Sequence, residues 1–294
     1  MSQFSKLGLT ESDIKILTEQ RYTIGHKIGE GSYAAVHLAN YVDDRGRQLK
    51  LACKIVNMSK APHDFVTKFF PRELKIIAKL EHPHIIQTHS IVQRRQLVFV
   101  FMAYATNGDL LMHITKHGAI DEDQCKLWLQ QLASALKYLH SEDIAHRDLK
   151  CDNVLISRHF NVKLTDFGFA RYCGMAKGAP VLSDTYCGST AYAAPEILVG
   201  LPYEPKIADA WSLGIILFIM LNGKMPFDDK NQPQMLADQR AKRYAFTRRR
   251  EFSADAKATV AVLLEPNVQA RWNVQEILSC NWILDLRVRA SESH

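Results

Sequence analysis

No two of the six cysteines in this chain stand at C-x-x-C spacing. Positions 53, 125, 151, 173, 187 and 280 are scattered, so neither a zinc site nor a disulfide framework is expected. The start, Met1-Ser2-Gln3-Phe4-Ser5-Lys6, lacks the apolar core of a signal peptide, and Ser2 stands where myristoylation needs glycine. Asn57-Met58-Ser59 fits a glycosylation sequon, but without a signal peptide the match reads as chance. The most apolar run, Trp211 to Leu221, is too short for a bilayer and reads as a buried helix. No basic block is interleaved with aromatics, and the net charge of +6 is spread along the chain. Arg248-Arg249-Arg250 is followed by Glu251 and reads as a solvated loop rather than a docking patch. Repeats and low-complexity tracts are also absent. These absences point to a soluble, cytoplasmic, monomeric protein with neither a nucleic-acid nor a membrane partner.

With 47% hydrophobic and 23% charged residues the chain has an ordinary globular composition. Residues 1–21 are polar and read as an N-terminal arm, a short helix or a loose segment. From Tyr22 to Asn57 three strand-like runs are punctuated by Gly29, Gly31 and Asp43-Asp44-Arg45-Gly46. Phe65 to Leu80 reads as a helix with Phe69, Ile76, Ile77 and Leu80 on its apolar side. Strand patterns return at Ile85 to Val92 and Gln96 to Met102. Beyond Tyr104 helical patterns dominate, at Glu122 to Ser141, Ile207 to Leu221, Ala254 to Leu264 and Val274 to Leu278. The expected class is α+β in two lobes: strand-rich 22–102, a junction at 103–108, and helix-rich 109–284, followed by a tail at 285–294.

The most informative stretch is His146-Arg147-Asp148-Leu149-Lys150-Cys151-Asp152-Asn153, followed by Asp166-Phe167-Gly168. Between them Val154-Leu155-Ile156 and Val162-Lys163-Leu164 read as a hairpin that brings Asn153 beside Asp166. Phosphoryl transfer needs a carboxylate to orient the attacking hydroxyl, metal ions on the phosphates, and donors that hold the phosphates in line. Asp148 suits the first task, Asn153 and Asp166 suit Mg²⁺, and Lys150 can reach the transferred group. Upstream, Gly29-Glu30-Gly31-Ser32-Tyr33-Ala34-Ala35-Val36 lies at a strand-to-strand turn where bare backbone can approach phosphate. Lys54, alone in an apolar strand, is spaced to reach the α and β phosphates. It calls for an anionic partner: Glu73 is the first choice and Glu81 the rival.

These motifs resemble the protein kinase signature set. The resemblance implies a bilobal kinase fold, ATP and Mg²⁺ as cofactors, and protein substrates carrying Ser or Thr. It also implies that Ile28, Val36, Ala52 and Leu155 enclose adenine, with Met102 behind and the backbone of Ala103 and Ala105 at its edge. Gly29, Glu30, Gly31, Ser32, Tyr33 and Ala34 would cover the phosphates, with Ala34 in place of a third glycine making a stiffer lid. The segment from Gly168 to Glu196 corresponds to an activation segment ordered when phosphate pairs with arginine. Thr185 is the expected phosphosite, Arg147 its partner, and an upstream kinase or autophosphorylation the source. Ser183 and Ser189 stand behind Thr185, with Ser189 better suited to link Asp148 and Lys150. Glu196 with Arg271, and Asp209 under the catalytic loop, would be architectural. Asp109 and Asp152 would favour basic residues upstream of the target hydroxyl, although Ile219 replaces an acid found in strongly basophilic kinases.

Lys68-Phe69-Phe70-Pro71-Arg72-Glu73, Leu164-Thr165-Asp166-Phe167-Gly168-Phe169, the run Tyr186 to Glu196, and Met225-Pro226-Phe227-Asp228-Asp229 resemble the testis-specific serine/threonine kinases. That group belongs to the calmodulin-dependent-kinase-like branch, and the likeness implies a role in spermatid differentiation. Calmodulin control is not expected from the short tail. A pseudokinase scaffold is the alternative, countered by the presence of Lys54, Asp148 and Asp166. A small-molecule kinase is countered by Ala194-Pro195-Glu196.

Overall fold

The computed structural model describes residues 9–31, 33–176, 178–185 and 187–285. Ser32, Lys177, Tyr186 and the segments 1–8 and 286–294 lie outside the described residues. The chain divides into two compact units. One holds residues up to 81 and 86–105; the other holds 82–85 and 106 onward.

The first unit starts with α1 (Glu11–Glu19), closed by a capping box in which Thr10 Oγ1 and Asp13 bond reciprocally. Then come β1 (Tyr22–Glu30), β2 (Ala34–Val42) and β3 (Gln48–Asn57), a π-helical turn at Phe65–Phe69, α2 (Phe70–Ile77), β4 (Thr88–Arg94) and β5 (Leu97–Ala103). The five strands form one antiparallel sheet in the order β1-β2-β3-β5-β4. Alternation along β3 divides the sheet into two faces. Leu51, Cys53 and Ile55 join Ala39, Phe99, Phe101, Tyr22, Leu9 and Leu17 in one core, so α1 packs on this side. Val56, Val98 and Val100 join Phe70, Leu74 and Ile77 on the other, where α2 packs.

Several boundaries differ from the sequence pattern. Of the two readings for the segment before Tyr22, the short helix is the one seen, docked through buried Leu9 and Leu17. The strand expected from Ile85 starts at Thr88, and Ile85 instead bridges Leu164 in the second unit. The helix over 65–80 is split by the π turn and ends at Ile77, leaving Phe69 42% exposed with Arg72 over its ring.

The second unit contains α3 (Leu110–His117), α4 (Glu122–Ser141), β6 (Ile144–Ala145), β7 (Val154–Ile156), β8 (Val162–Leu164), β9 (Arg171–Tyr172), β10 (Met175–Ala176) and β11 (Ala179–Pro180). It continues with α5 (Pro195–Leu198), α6 (Pro205–Asn222), α7 (Gln232–Arg240), α8 (Ala254–Leu263) and α9 (Val274–Leu278). Helix α6 is longer than its apolar pattern and by length and composition could cross a membrane, but 83% of that window is buried inside the protein. It is the central core helix, in contact with α4 and α8. Gly214 lies against Leu263, where a Cβ would come within 2.7 Å, so glycine is what allows this close helix crossing.

Candidate active site

The site is built on the loop from β6 to β7 and on the end of the segment before α5. Asp209, on α6, fixes the loop from beneath: its Oδ2 accepts from the His146 N–H at 2.9 Å and its Oδ1 from the Arg147 N–H at 2.8 Å. His140 Nε2 adds a contact at 3.0 Å. This clamp holds Arg147 at φ +67°, a left-handed conformation that costs free energy outside glycine and clusters at functional sites. His146 then spans the loop, with one ring nitrogen on Thr165 O and the other 3.3 Å from the Asp148 N–H, while its ring packs on buried Phe167.

Asp148 is almost fully buried and its carboxylate is held on both oxygens. Oδ1 accepts from the Ser189 N–H at 3.0 Å and from the Ser189 hydroxyl at 3.2 Å. Oδ2 accepts from Asn153 Nδ2 at 3.0 Å and lies 3.2 Å from Lys150 Nζ. Lys150 also donates to Ser189 Oγ at 3.1 Å. A hydroxyl thus already sits between the carboxylate and the ammonium. The structure brings together Asp148, Lys150, Asn153 and Ser189.

The hairpin β7–β8 pairs Val154 with Leu164 and Ile156 with Val162, as the alternation predicts. The Thr165 N–H donates to Asn153 O at 3.0 Å at the open end of the hairpin, one residue before Asp166. Asp166 has φ +61° and accepts from the Gly168 N–H at 3.4 Å. Asn153 spends its amide hydrogens on Asp148 O and Oδ2, so the donor it can offer a cation is its amide oxygen. Leu155, the adenine contact placed in this unit, is half-buried on β7.

In the first unit, register aligns Val36, Lys54 and Val100 across β2, β3 and β5, and Ala52 with Met102 one row on. These side chains share the face against α2. Lys54 Nζ meets Glu73 Oε1 at 2.6 Å, with Glu73 buried on α2. Glu73, rather than Glu81, is therefore the partner. Gly29 and Gly31 lie at the β1–β2 turn, closed by Gly31 N–H to Ala34 O at 2.8 Å. Neither has positive φ, and a Cβ on either would meet only ordinary contacts at 3.6 Å or beyond. Among the described residues nothing requires glycine there, which fits a backbone kept bare for a ligand. Ile28 and Glu30 are exposed on β1, and Glu30 pairs with Lys27, which together with the bond lowers its pKa. Tyr33 packs tilted against Phe65 at 5.2 Å between ring centroids, an aromatic link from this turn to the π turn before α2. Ala103 donates its N–H to Gln87 O, and Ala105 is buried at the end of the unit.

Elsewhere the placements are mixed. Arg271 and Glu196 form a bidentate pair at 2.6 and 2.9 Å under Trp211. Asp109 caps α3, accepting from the Met112 N–H at 2.7 Å, a role the sequence reading missed. Asp152 is exposed. Both carboxylates lie near Cys151, whose thiol is pushed up to about 12, first by burial and then by these charges against a Tyr192 hydrogen bond. With Thr185 unmodified, the Arg147 guanidinium bonds Ser183 and Cys187.

The Protein kinase domain family matches residues 22–283. The chain is 43% identical over 273 residues to testis-specific serine/threonine-protein kinase 1 of Mus musculus, covering 92% of this chain and 74% of that protein. It is 41% identical over 283 residues to testis-specific serine/threonine-protein kinase 2 of Mus musculus, covering 96% and 78%. With testis-specific serine/threonine-protein kinase 3 of Homo sapiens it shares 38% over 268 residues, covering 91% and 97%. Family, motifs and geometry agree: the chain belongs to the protein kinase family, as a serine/threonine kinase of the testis-specific group.

Proposed function

We propose that this chain transfers the γ-phosphoryl group of ATP to serine and threonine hydroxyls of protein substrates, as a cytoplasmic monomer acting in spermatid differentiation. The observation that carries the reading is the Asp148 carboxylate, fixed from both sides, with a hydroxyl already accommodated between it and Lys150. A substrate hydroxyl exchanged into that place would be oriented by Asp148 and have Lys150 beside its incoming phosphoryl group. Asn153 and Asp166 supply an amide and a carboxylate oxygen, a hard-donor pair suited to Mg²⁺ that completes its shell with water and phosphate. Bound Mg²⁺ neutralises phosphate charge. Lys54, steadied by Glu73, holds phosphate oxygens, and the bare turn at Gly29 and Gly31 offers N–H groups to them.

Thr185 is exposed and is the proposed activating phosphosite, modified by an upstream kinase or by the protein itself. Asp109 and Asp152 support a preference for basic residues upstream of the target, through charge pairing.

The test is γ-phosphate transfer to a basic Ser/Thr peptide with Mg²⁺, comparing wild type with Asp148→Asn. Transfer that collapses in the variant, with nucleotide binding retained, supports the reading. Equal, near-zero transfer by both, with nucleotide bound, would move the assignment to a nucleotide-binding scaffold.

A further inference from the structure

Arg147 directly precedes Asp148, and the partners of its guanidinium determine what holds the activation segment against the catalytic loop. Nη1 donates to Ser183 Oγ at 3.3 Å and Nη2 reaches Cys187 Sγ. Nε is buried without an acceptor, and none of the described carboxylates comes within ion-pair reach of the group. Ser183 is 1% exposed, far too buried to be a ready phosphosite. Its main chain pairs in both directions with Tyr203, Ser183 N–H to Tyr203 O at 2.8 Å and Tyr203 N–H to Ser183 O at 2.9 Å. The Tyr203 hydroxyl reaches two residues on, donating to Thr185 O at 3.2 Å. Burial raises the Tyr203 pKa, so the hydroxyl keeps the proton it donates. Beyond Thr185 the chain reaches Ser189, bonded to Asp148 and Lys150. Both ends of 183–189 are therefore fastened through unmodified serines, with no phosphate involved.

We propose that Ser183 is a positioning residue: bridged to Tyr203 and bonded to Arg147, it docks the activation segment before any phosphate is added. The unmodified protein then has basal transfer activity. This rests on the kinase reading and concerns regulation of the same site. A neutral hydroxyl is a weaker partner for a guanidinium than a phosphate, which brings opposite charge and can accept two parallel bonds. Phosphate on exposed Thr185 would add to this docking, with the unsatisfied Nε of Arg147 available to it, rather than create the docking.

The experiment uses full-length protein in two forms, phosphatase-treated and with phosphothreonine installed at position 185 during translation. Transfer to the basic peptide is measured for wild type, Ser183→Ala and Tyr203→Phe, with nucleotide affinity as the check on folding. In the unmodified form wild type is expected to turn over. Ser183→Ala loses kcat roughly tenfold, the size of one hydrogen bond to a charged group, at unchanged KM for ATP. Tyr203→Phe, which keeps the backbone bridge, loses less. Phosphothreonine restores Ser183→Ala to near the wild-type rate, which a merely structural defect would not permit. Unmodified Ser183→Ala matching wild type, or a loss that phosphate does not rescue, overturns the proposal. Wild type active only when phosphorylated also overturns it and leaves the kinase reading standing. No transfer from either form, with nucleotide bound, overturns the kinase reading itself.

Discussion

Gly188 crosses directly over the carbonyl of Arg147: a Cβ at position 188 would lie 2.6 Å from that oxygen and 3.3 Å from Asp148 Oδ1. Its φ of +87° is equally closed to other residues. The crossing delivers the Ser189 N–H to Asp148. Gly188→Ala must push this strand of chain off the loop, at a cost of about 1–3 kcal/mol. The expected result is a fall in kcat of at least about tenfold with nucleotide affinity unchanged. Wild-type turnover in the variant would show that the Ser189–Asp148 bond is dispensable.

The Lys54–Glu73 pair predicts a different kinetic signature. Glu73→Gln keeps the shape of the side chain and removes the charge that fixes Lys54, a bond worth about 1.5–3 kcal/mol. KM for ATP should rise and kcat fall, while KM for the peptide is unchanged. Steady-state kinetics with each substrate varied in turn checks this. An increase confined to the peptide KM would contradict the placement.

Arg271 and Glu196 predict loss of stability rather than of chemistry. Arg271 is buried, so Glu196→Gln leaves its charge without a full counterion, at about 3–5 kcal/mol if the pair breaks completely. A lowered Tm is expected, with specific activity preserved well below it. An unchanged Tm would show that the contacts of Arg271 with the Glu265 and Ile207 carbonyls carry the load.

Acid should loosen the second unit before it reaches the carboxylates. Burial lowers the pKa of His82, with His84 and Lys163 adding to it. Burial likewise lowers that of His84, against its bond to Val162 O and with help from Lys163. In the unfolded chain both take up protons near pH 6.5, while in the folded state they resist. The unfolded state then binds more protons, so stability is full above about pH 6.5 and declines as pH falls below it. Urea midpoints at pH 7.5 and 5.5 test this. The acid loss should shrink in His84→Gln; an equal loss would assign the effect elsewhere.

Local chemistry made much of the site legible. The alternation in Val154–Ile156 and Val162–Leu164 specifies a hairpin, and a hairpin leaves Asn153 and Asp166 little choice of place. Lys54 stood out because a charge in an apolar strand demands a partner. What stayed hidden depends on contacts between distant residues. Arg147 meets Ser183, 36 positions away, and no local pattern separates Ser183 from Thr185 as its partner. That Asp109 also caps α3 is not legible without the helix that begins there. The short helices α3 and α7 passed unnoticed because their few apolar positions make little periodic signal.

Helix α1 lies outside the kinase-domain match, which opens at residue 22. Its Leu17 nonetheless lies in the same core as Cys53, Phe99 and Phe101. The boundary of the kinase-domain match and that of the folded unit thus lie at different residues of this chain. A recombinant fragment cut at the family boundary would keep every catalytic group and leave an oily scar on the sheet. Such a fragment would be expected to precipitate for reasons unrelated to its chemistry.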